Sequence, residues 1–264
     1  MPALPRIMGI LNVTPDSFSD GGRLAGPDQA IEAGIALHAA GADIIDVGGE
    51  STRPGATPVP LDEELRRTIP VVAALVKAGV PVSIDTMKAE VMRQAADVGA
   101  VMLNDVSALA ADPASLSVAA ACTADVVLMH MPGDPRTMQS LASYDDPVAE
   151  VIAHLQARIA AAEAAGIARS RLLADPGIGF GKGVAHNLAI LRQLRDFHVL
   201  SVPLMLAASR KSVIPSVIGP TPPSERLPGS LAMALRGAEA GVAWVRVHDV
   251  AETRQALLMW AAMR

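Results

Sequence analysis

The chain has 264 residues, 51% of them hydrophobic and 19% charged, so it can bury a sizeable core and is not a disordered chain. Its net charge is −5 with no run of Lys or Arg, which argues against nucleic acid or an anionic membrane as the main partner. No apolar run reaches the roughly 20 residues that span a bilayer, and the opening MPALPR lacks the basic and then apolar order of a signal peptide. Cys122, in SVAAACTA, has no second cysteine to pair with, reads as a small buried hydrophobe, and fits a reducing cytoplasm. Aromatics are only 2%, and the apolar mass is Ala, Val, Leu and Ile, which suits a parallel sheet covered by helices.

In chain order, Ile7–Val13 reads as a first strand ending near Asn12, followed by the polar loop TPDSFSDGGR with Pro15, Gly21 and Gly22 as breakers. A helix is predicted from about Pro27 to Ala40, stopped by Gly41. The next strand holds Ile44, Ile45 and Val47 around Asp46. It breaks at Gly48-Gly49 into a loop presenting Glu50, Ser51, Thr52 and Arg53, and Pro54-Gly55 end regular structure there. The pattern then repeats. Helices are predicted over Asp62–Ala78 and Lys88–Val98, from about Asp112, over Pro147–Ala165, up to about Arg195, after SRKS, up to Gly241, and over Val250–Met263. Between them fall strands over Pro81–Asp85, Val101–Val106, Asp125–His130, Leu172–Asp175, Pro203–Ala208 and Trp244–His248.

Eight strand–helix units at a pitch of about 30 residues predict an α/β fold, a single-domain (β/α)8 TIM barrel over residues 1–264. The runner-up is a doubly wound open sheet. That fold would normally place a Gly-rich phosphate fingerprint after the first strand, where this chain has TPDSFSDGG.

In a barrel the chemistry sits at the C-terminal rim. The strand ends deliver Asn12, Asp46, Asp85, Asn104, His130, Asp175, the run Ser209-Arg210-Lys211, and Arg246 with His248. Residues two apart on a strand share a face, so Arg246 and His248 point together and Val245 and Val247 face the helices. Such groups cannot be buried alone; they need one another or a ligand with a mixed donor and acceptor edge and a negative end. Asp175 can accept two N–H bonds from a ring edge, Asn104 can donate and accept, and Lys211 can donate. Arg246 and His248 suit an anion, Asn12 offers an oxygen to a hard cation such as Mg²⁺, and the helix after SRKS offers its N–H groups to a second anion.

Other residues read as structural. Asp105, Asp112 and Asp249 read as loop or cap residues, and Glu63, Glu64, Arg66 and Arg67 as a solvated helix face. His38, His154 and His198 carry no expected chemistry, and Met129 and Met131 read as packing. His130 stays open between a direct role and a structural one. No zinc motif, Cys/His pair or GxSxG elbow is present.

The segments IMGILNVTPDSFSDGG, IIDVGGESTRPGA, SIDTMK, LND, LMHMPGDPRTMQ, LLADPGIGFGK, SRKS and RVHDV resemble, in order and spacing, the dihydropteroate synthases. The resemblance spans essentially the whole chain. It implies a (β/α)8 barrel, a cytoplasmic homodimeric transferase of folate synthesis. Such an enzyme joins 6-hydroxymethyl-7,8-dihydropterin diphosphate to 4-aminobenzoate, forming 7,8-dihydropteroate and pyrophosphate with Mg²⁺. Motif by motif, it implies Asp85, Asn104, Asp175 and Lys211 around the pterin. Asn12 goes to Mg²⁺ and diphosphate, and Arg246 and His248 to the phosphates. Lys211, Arg246 and His248 are the implied catalytic residues. Phe18, Thr52, Arg53 and Pro54, with Phe180, Lys211 and Ser212, are implied on the aminobenzoate side, where sulfonamides would compete. One departure is Ala207, where the family usually has Gly. The rival readings are a corrinoid-dependent pterin methyltransferase, which needs no diphosphate clamp, and a non-catalytic pterin-binding barrel, which loss of Asn12, Arg53, Lys211 or Arg246 would indicate, and all four are present. Replacing Arg246 or Lys211 by Ala is expected to lower turnover sharply and leave the fold intact.

Overall fold

Period-two alternation of apolar residues produces eight short strands in the computed structural model, which describes residues 4–14, 27–53 and 55–263. They are β1 (Arg6–Asn12), β2 (Ile44–Gly48), β3 (Val82–Asp85), β4 (Met102–Asp105), β5 (Asp125–Met129), β6 (Leu172–Asp175), β7 (Met205–Leu206) and β8 (Trp244–Val247). All pair in parallel in the order β6-β5-β4-β3-β2-β1-β8-β7. A parallel bridge between Ala174 and Leu204 joins the two ends, so the sheet all but closes on itself. The fold is therefore the (β/α)8 barrel and not the open doubly wound sheet.

Helices alternate with the strands: α1 (Pro27–Ala39), α2 (Leu61–Lys77), α3 (Ala89–Asp97), α4 (Ser115–Ala121), α5 (Pro147–Ala164), α6 (Val184–Arg192), α7 (Val213–Ile218), α8 (Leu227–Ala240) and α9 (Val250–Ala262). Local chemistry sets their ends. Asp146 caps α5 by accepting from Val148 N and Ala149 N at 3.0 Å, with Pro147 in the first turn. α4 starts later than expected because Asp112 accepts from Ala114 N and Ala89 N instead of opening a helix. α6 stops at Arg192, and the chain continues as a 3₁₀ segment over Leu194–Leu200. β7 is far shorter than Pro203–Ala208. Pro203 has no N–H to give, and past Leu206 the chain turns towards Arg210, whose φ is 56°.

The two faces of the strands do different work. Outward residues such as Ile45, Val47, Ile84, Leu103, Leu128, Val245 and Val247 pack with Val71, Val72, Leu75, Val91 and Met92 of the helices. Inward residues Met8, Ile44, Met102, Val127, Leu173, Met205 and Trp244 form a separate plug inside the barrel. One pleat above that plug the inward positions become Asp46, Asn104, Asp175 and Arg246. An apolar plug below and polar groups above is what confines the chemistry to one mouth. Among the described residues no helix is long and apolar enough to cross a membrane.

Candidate active site

Three strands meet at a buried ion-pair cluster. Arg246 of β8 donates from Nε to Asp46 Oδ2 at 2.6 Å and from Nη2 to Asp85 Oδ2 at 2.7 Å. Asn104 of β4 donates from Nδ2 to the same Asp46 oxygen at 2.9 Å. Asp46 therefore orients both the guanidinium and the amide, and its own Oδ1 is buried without a partner. Burial pushes the Asp85 carboxyl up to about 7, the Arg246 charge opposing that rise and the neighbouring Asp46 adding to it. Burial also raises Asp175, which is partly held down by the N–H of Gly177 on its Oδ1 at 2.7 Å.

Lys211 interacts electrostatically with Arg246, Asp85 and Asp175, and its Nζ lies 4.0 Å from the centre of the Phe180 ring. Burial, reinforced by the Arg246 charge and opposed by Asp175 and Asp85, lowers its pKa to about 8. His248 lies beside Ser209, with Nδ1 3.1 Å from the Ser209 oxygen and its own N–H donated to that oxygen at 3.2 Å. Burial brings the imidazole down to about 3, with Arg246 and Arg210 adding to the effect, so it is neutral. Asn12, at the end of β1, faces Asp85 across Gly48. A Cβ on that glycine would stand 3.6 Å from Asp85 Oδ2 and 3.7 Å from Asn12 Oδ1. Asp85, Asn104, Asp175, Lys211, Arg246, His248, Asn12 and Phe180 thus all lie at the C-terminal rim.

The remaining expected residues stand differently. Thr52 is half-buried and Arg53 exposed, in a loop whose Gly55 N–H is donated to Pro135 O of the β5–α5 loop at 3.2 Å. Ser212 is exposed at the start of α7, a helix of only 6 residues. Phe18 and Pro54 lie outside the described residues. Arg210 does not join the anion-binding groups, because its guanidinium pairs with Asp249, the Nε–Oδ2 distance being 3.0 Å. Asp249 holds that cation rather than the N–H groups of α9. Asp105 and Asp112 are loop residues, one of the two expected roles, Asp105 accepting from Ser107 N and Leu109 N and Asp112 from Ala114 N.

Two clusters were missed by reading the sequence. Glu63 and Arg66 are indeed an outward pair at 2.6 Å, but Glu64 is wholly buried. Glu64 accepts from Thr86 Oγ1 at 2.6 Å and from Lys88 Nζ at 2.5 Å, and Lys88 also pairs with Glu50. Burial works against the Lys88 ammonium, but the bonds from Glu50 and Glu64 prevail and hold its pKa above the usual value. Arg67 adds a bond to Gly49 O at 3.0 Å. The signal was present in the spacing. Glu64 shares a face of α2 with the buried Thr68, Val71, Val72 and Leu75. The second cluster is Lys182 with His130, where Lys182 Nζ lies 2.8 Å from His130 Nδ1. Burial and the Lys182 charge pull His130 down to about 2. Met129 and Met131 pack beside it with Phe180, as expected.

Known proteins resemble this chain over nearly its whole length. Residues 8–248 match the model of the family described as pterin binding enzyme. The chain is 50% identical over 254 residues to the dihydropteroate synthase of Escherichia coli K12, spanning 96% of this chain and 89% of that protein. A solved Xanthomonas albilineans dihydropteroate synthase with 4-aminobenzoic acid superposes with a TM-score of 0.93 at 49% identity, covering 98% of this chain and 93% of that one. The same enzyme in complex with 7,8-dihydropteroate gives 0.90 at 46% identity, covering 100% and 95%. By sequence and by fold, the chain belongs to the pterin-binding enzyme family, among its dihydropteroate synthases.

Proposed function

We propose that the rim performs this synthesis with the residues assigned as follows. The observation that carries the assignment is the Arg246 guanidinium held between Asp46 and Asp85, near an amide, a third carboxylate (Asp175) and a lysine. Asn104 spends its Nδ2 on Asp46, which turns its carbonyl oxygen towards a ring N–H. Asp175 spends Oδ1 on Gly177 and keeps Oδ2 for the ring edge. Asp85 and Lys211 complete the pterin side, Lys211 donating to a ring carbonyl or nitrogen.

Loss of pyrophosphate from the pterin methylene builds negative charge on the leaving group, which Arg246 is placed to stabilise. His248, neutral here, can donate one N–H to the same group. Electron release from the bound pterin then stabilises the methylene cation left by C–O cleavage; the neutral arylamine forms the C–N bond and gives up one N–H proton to solvent. Positioning carries the rate, with no protein nucleophile. Phe180, Thr52, Arg53 and Ser212, with Phe18 and Pro54, are assigned to the aminobenzoate, Arg53 supplying a cation for its carboxylate.

Among the described residues no group of three or more His, Cys, Asp or Glu could hold a metal ion. Asn12 would offer its Oδ1 to Mg²⁺, which keeps waters and substrate phosphates as its other ligands. Bound there, the ion would neutralise charge on the diphosphate. We assign the enzyme to the cytoplasm and read it as a homodimer; the exposed Leu258, Met259 and Met263 support the dimer, which sedimentation would test.

The test is the pH profile of the synthesis itself. Lys211 is needed protonated, so kcat/KM for the pterin diphosphate is expected to fall as pH rises through about 8. In Lys211→Arg that alkaline limb is expected to move beyond about pH 10, since a guanidinium keeps its proton. Absence of any turnover contradicts the synthase reading, and an unmoved limb in Lys211→Arg contradicts the role of Lys211.

A further inference from the structure

A buried ammonium normally needs a carboxylate. Lys182 is only 5% exposed, yet its four close partners are His130 Nδ1 at 2.8 Å, Gly177 O at 2.9 Å, Phe180 O at 3.0 Å and His130 O at 3.2 Å. None is a carboxylate. Burial brings its pKa down to about 7, with the Asp175 charge pulling it back up. The neutral His130 ring is therefore an acceptor for this lysine, which accounts for its burial at the end of β5.

The carbonyls come from two places, the end of β5 and the turn that follows β6. That turn is built on glycines with positive φ, Gly177 at 69°, Gly179 at 83° and Gly181 at 55°. Glycines have little preference of their own for one conformation, so the turn must be held from outside. A Cβ at Gly177 would come within 2.1 Å of His130 O, so the turn and the strand end pack backbone to backbone around the ammonium. Asn187 of α6 secures the other side, accepting from Gly179 N at 2.8 Å and donating to Lys182 O and Gly183 O at 2.9 Å. What this scaffold presents to the mouth is the Phe180 ring against Lys211.

We infer that Lys182 is a positioning residue for the amine side of the site: it clamps the 177–181 turn to the end of β5 so that Phe180 and Lys211 form one wall. This rests on the reading that Phe180 and Lys211 face the aminobenzoate. The test is steady-state kinetics of the full chain carrying Lys182→Met, Lys182→Gln, Phe180→Ala or Lys182→Met with Phe180→Ala, each with its fold checked by circular dichroism. Lys182→Met is expected to raise KM for 4-aminobenzoate about tenfold while KM for the pterin diphosphate stays within about twofold. Lys182→Gln, which keeps N–H donors, recovers part of the loss. The double variant is little worse than Lys182→Met, because the same wall is already gone. If Lys182→Met does not fold, Lys182→Gln carries the same comparison. An aminobenzoate KM raised by Phe180→Ala but unchanged in the Lys182 variants overturns the inference alone, as does an equal rise in both KM values. An unchanged aminobenzoate KM in Phe180→Ala removes the reading of the amine side, and the inference with it.

Discussion

Arg246→Ala is expected to lower kcat about a thousandfold, as loss of a preorganised donor to developing charge does, and to destabilise the protein as well. The second effect corrects the expectation of an intact fold. Arg246 has only 15% of its side chain exposed, and it pairs with Asp46, wholly buried, and Asp85. Removing it leaves two buried carboxyl groups facing each other, and breaking a buried pair from one side costs about 3–5 kcal/mol.

The cost has a sign in pH. A carboxyl whose folded pKa lies above its unfolded one binds more protons when folded. Its contribution is fully present below the unfolded value and is lost as pH rises through the folded one. For Asp85 that window already runs from 3.8 to about 7, and loss of Arg246 extends it upward. The melting temperature of Arg246→Ala is therefore expected to fall more than that of the parent between about pH 6 and pH 8. Parallel melting curves at the two pH values would contradict the ion-pair cluster. Lys211→Ala, which leaves no pair broken, is expected to lose activity without this pH-dependent instability.

Lys88→Met is expected to cost about 3 kcal/mol of stability in urea unfolding, more than an ordinary surface lysine. The reason is Glu64, whose carboxylate is wholly buried on α2 and depends on Lys88 and Thr86 for its partners. Adding Glu64→Gln to Lys88→Met is expected to recover more than half of the loss. The neutral amide can still accept from Thr86 and no longer needs a cation. Additive losses in the two variants would show that the pair is not coupled. The same lysine reaches Glu50, and Arg67 reaches Gly49, so the loop after β2 is anchored to the loop after β3 and to α2. Thr52 and Arg53 hang from that anchor.

The barrel was legible because period-two alternation on the strands and Gly stops after the helices are local signals. Leu172–Asp175 fell on its observed limits, while Pro203–Ala208 shrank to two residues because the missing proline N–H and the turn at Arg210 are settled by neighbouring strands. At the rim, strand ends could be read off one by one, so Asp85, Asn104, Asp175 and Arg246 were found. Which of them pair could not, since Arg246 meets Asp46 across 200 positions of sequence. Lys182 and Glu64 were hidden differently. Each is charged, and a charged residue on a loop or helix is read as solvated unless its neighbours' periodicity is weighed against it. The spacing of Glu64 with Thr68, Val71 and Leu75 carried that information. For Lys182 no local pattern did, because its acceptors are backbone carbonyls brought together only by the fold.

The most direct measurement is pyrophosphate release by the purified protein mixed with the pterin diphosphate and Mg²⁺, with and without 4-aminobenzoate. Sustained release that depends on the amine and matches 7,8-dihydropteroate mole for mole is the predicted result. Release at the same rate without the amine, or none with it, would contradict it.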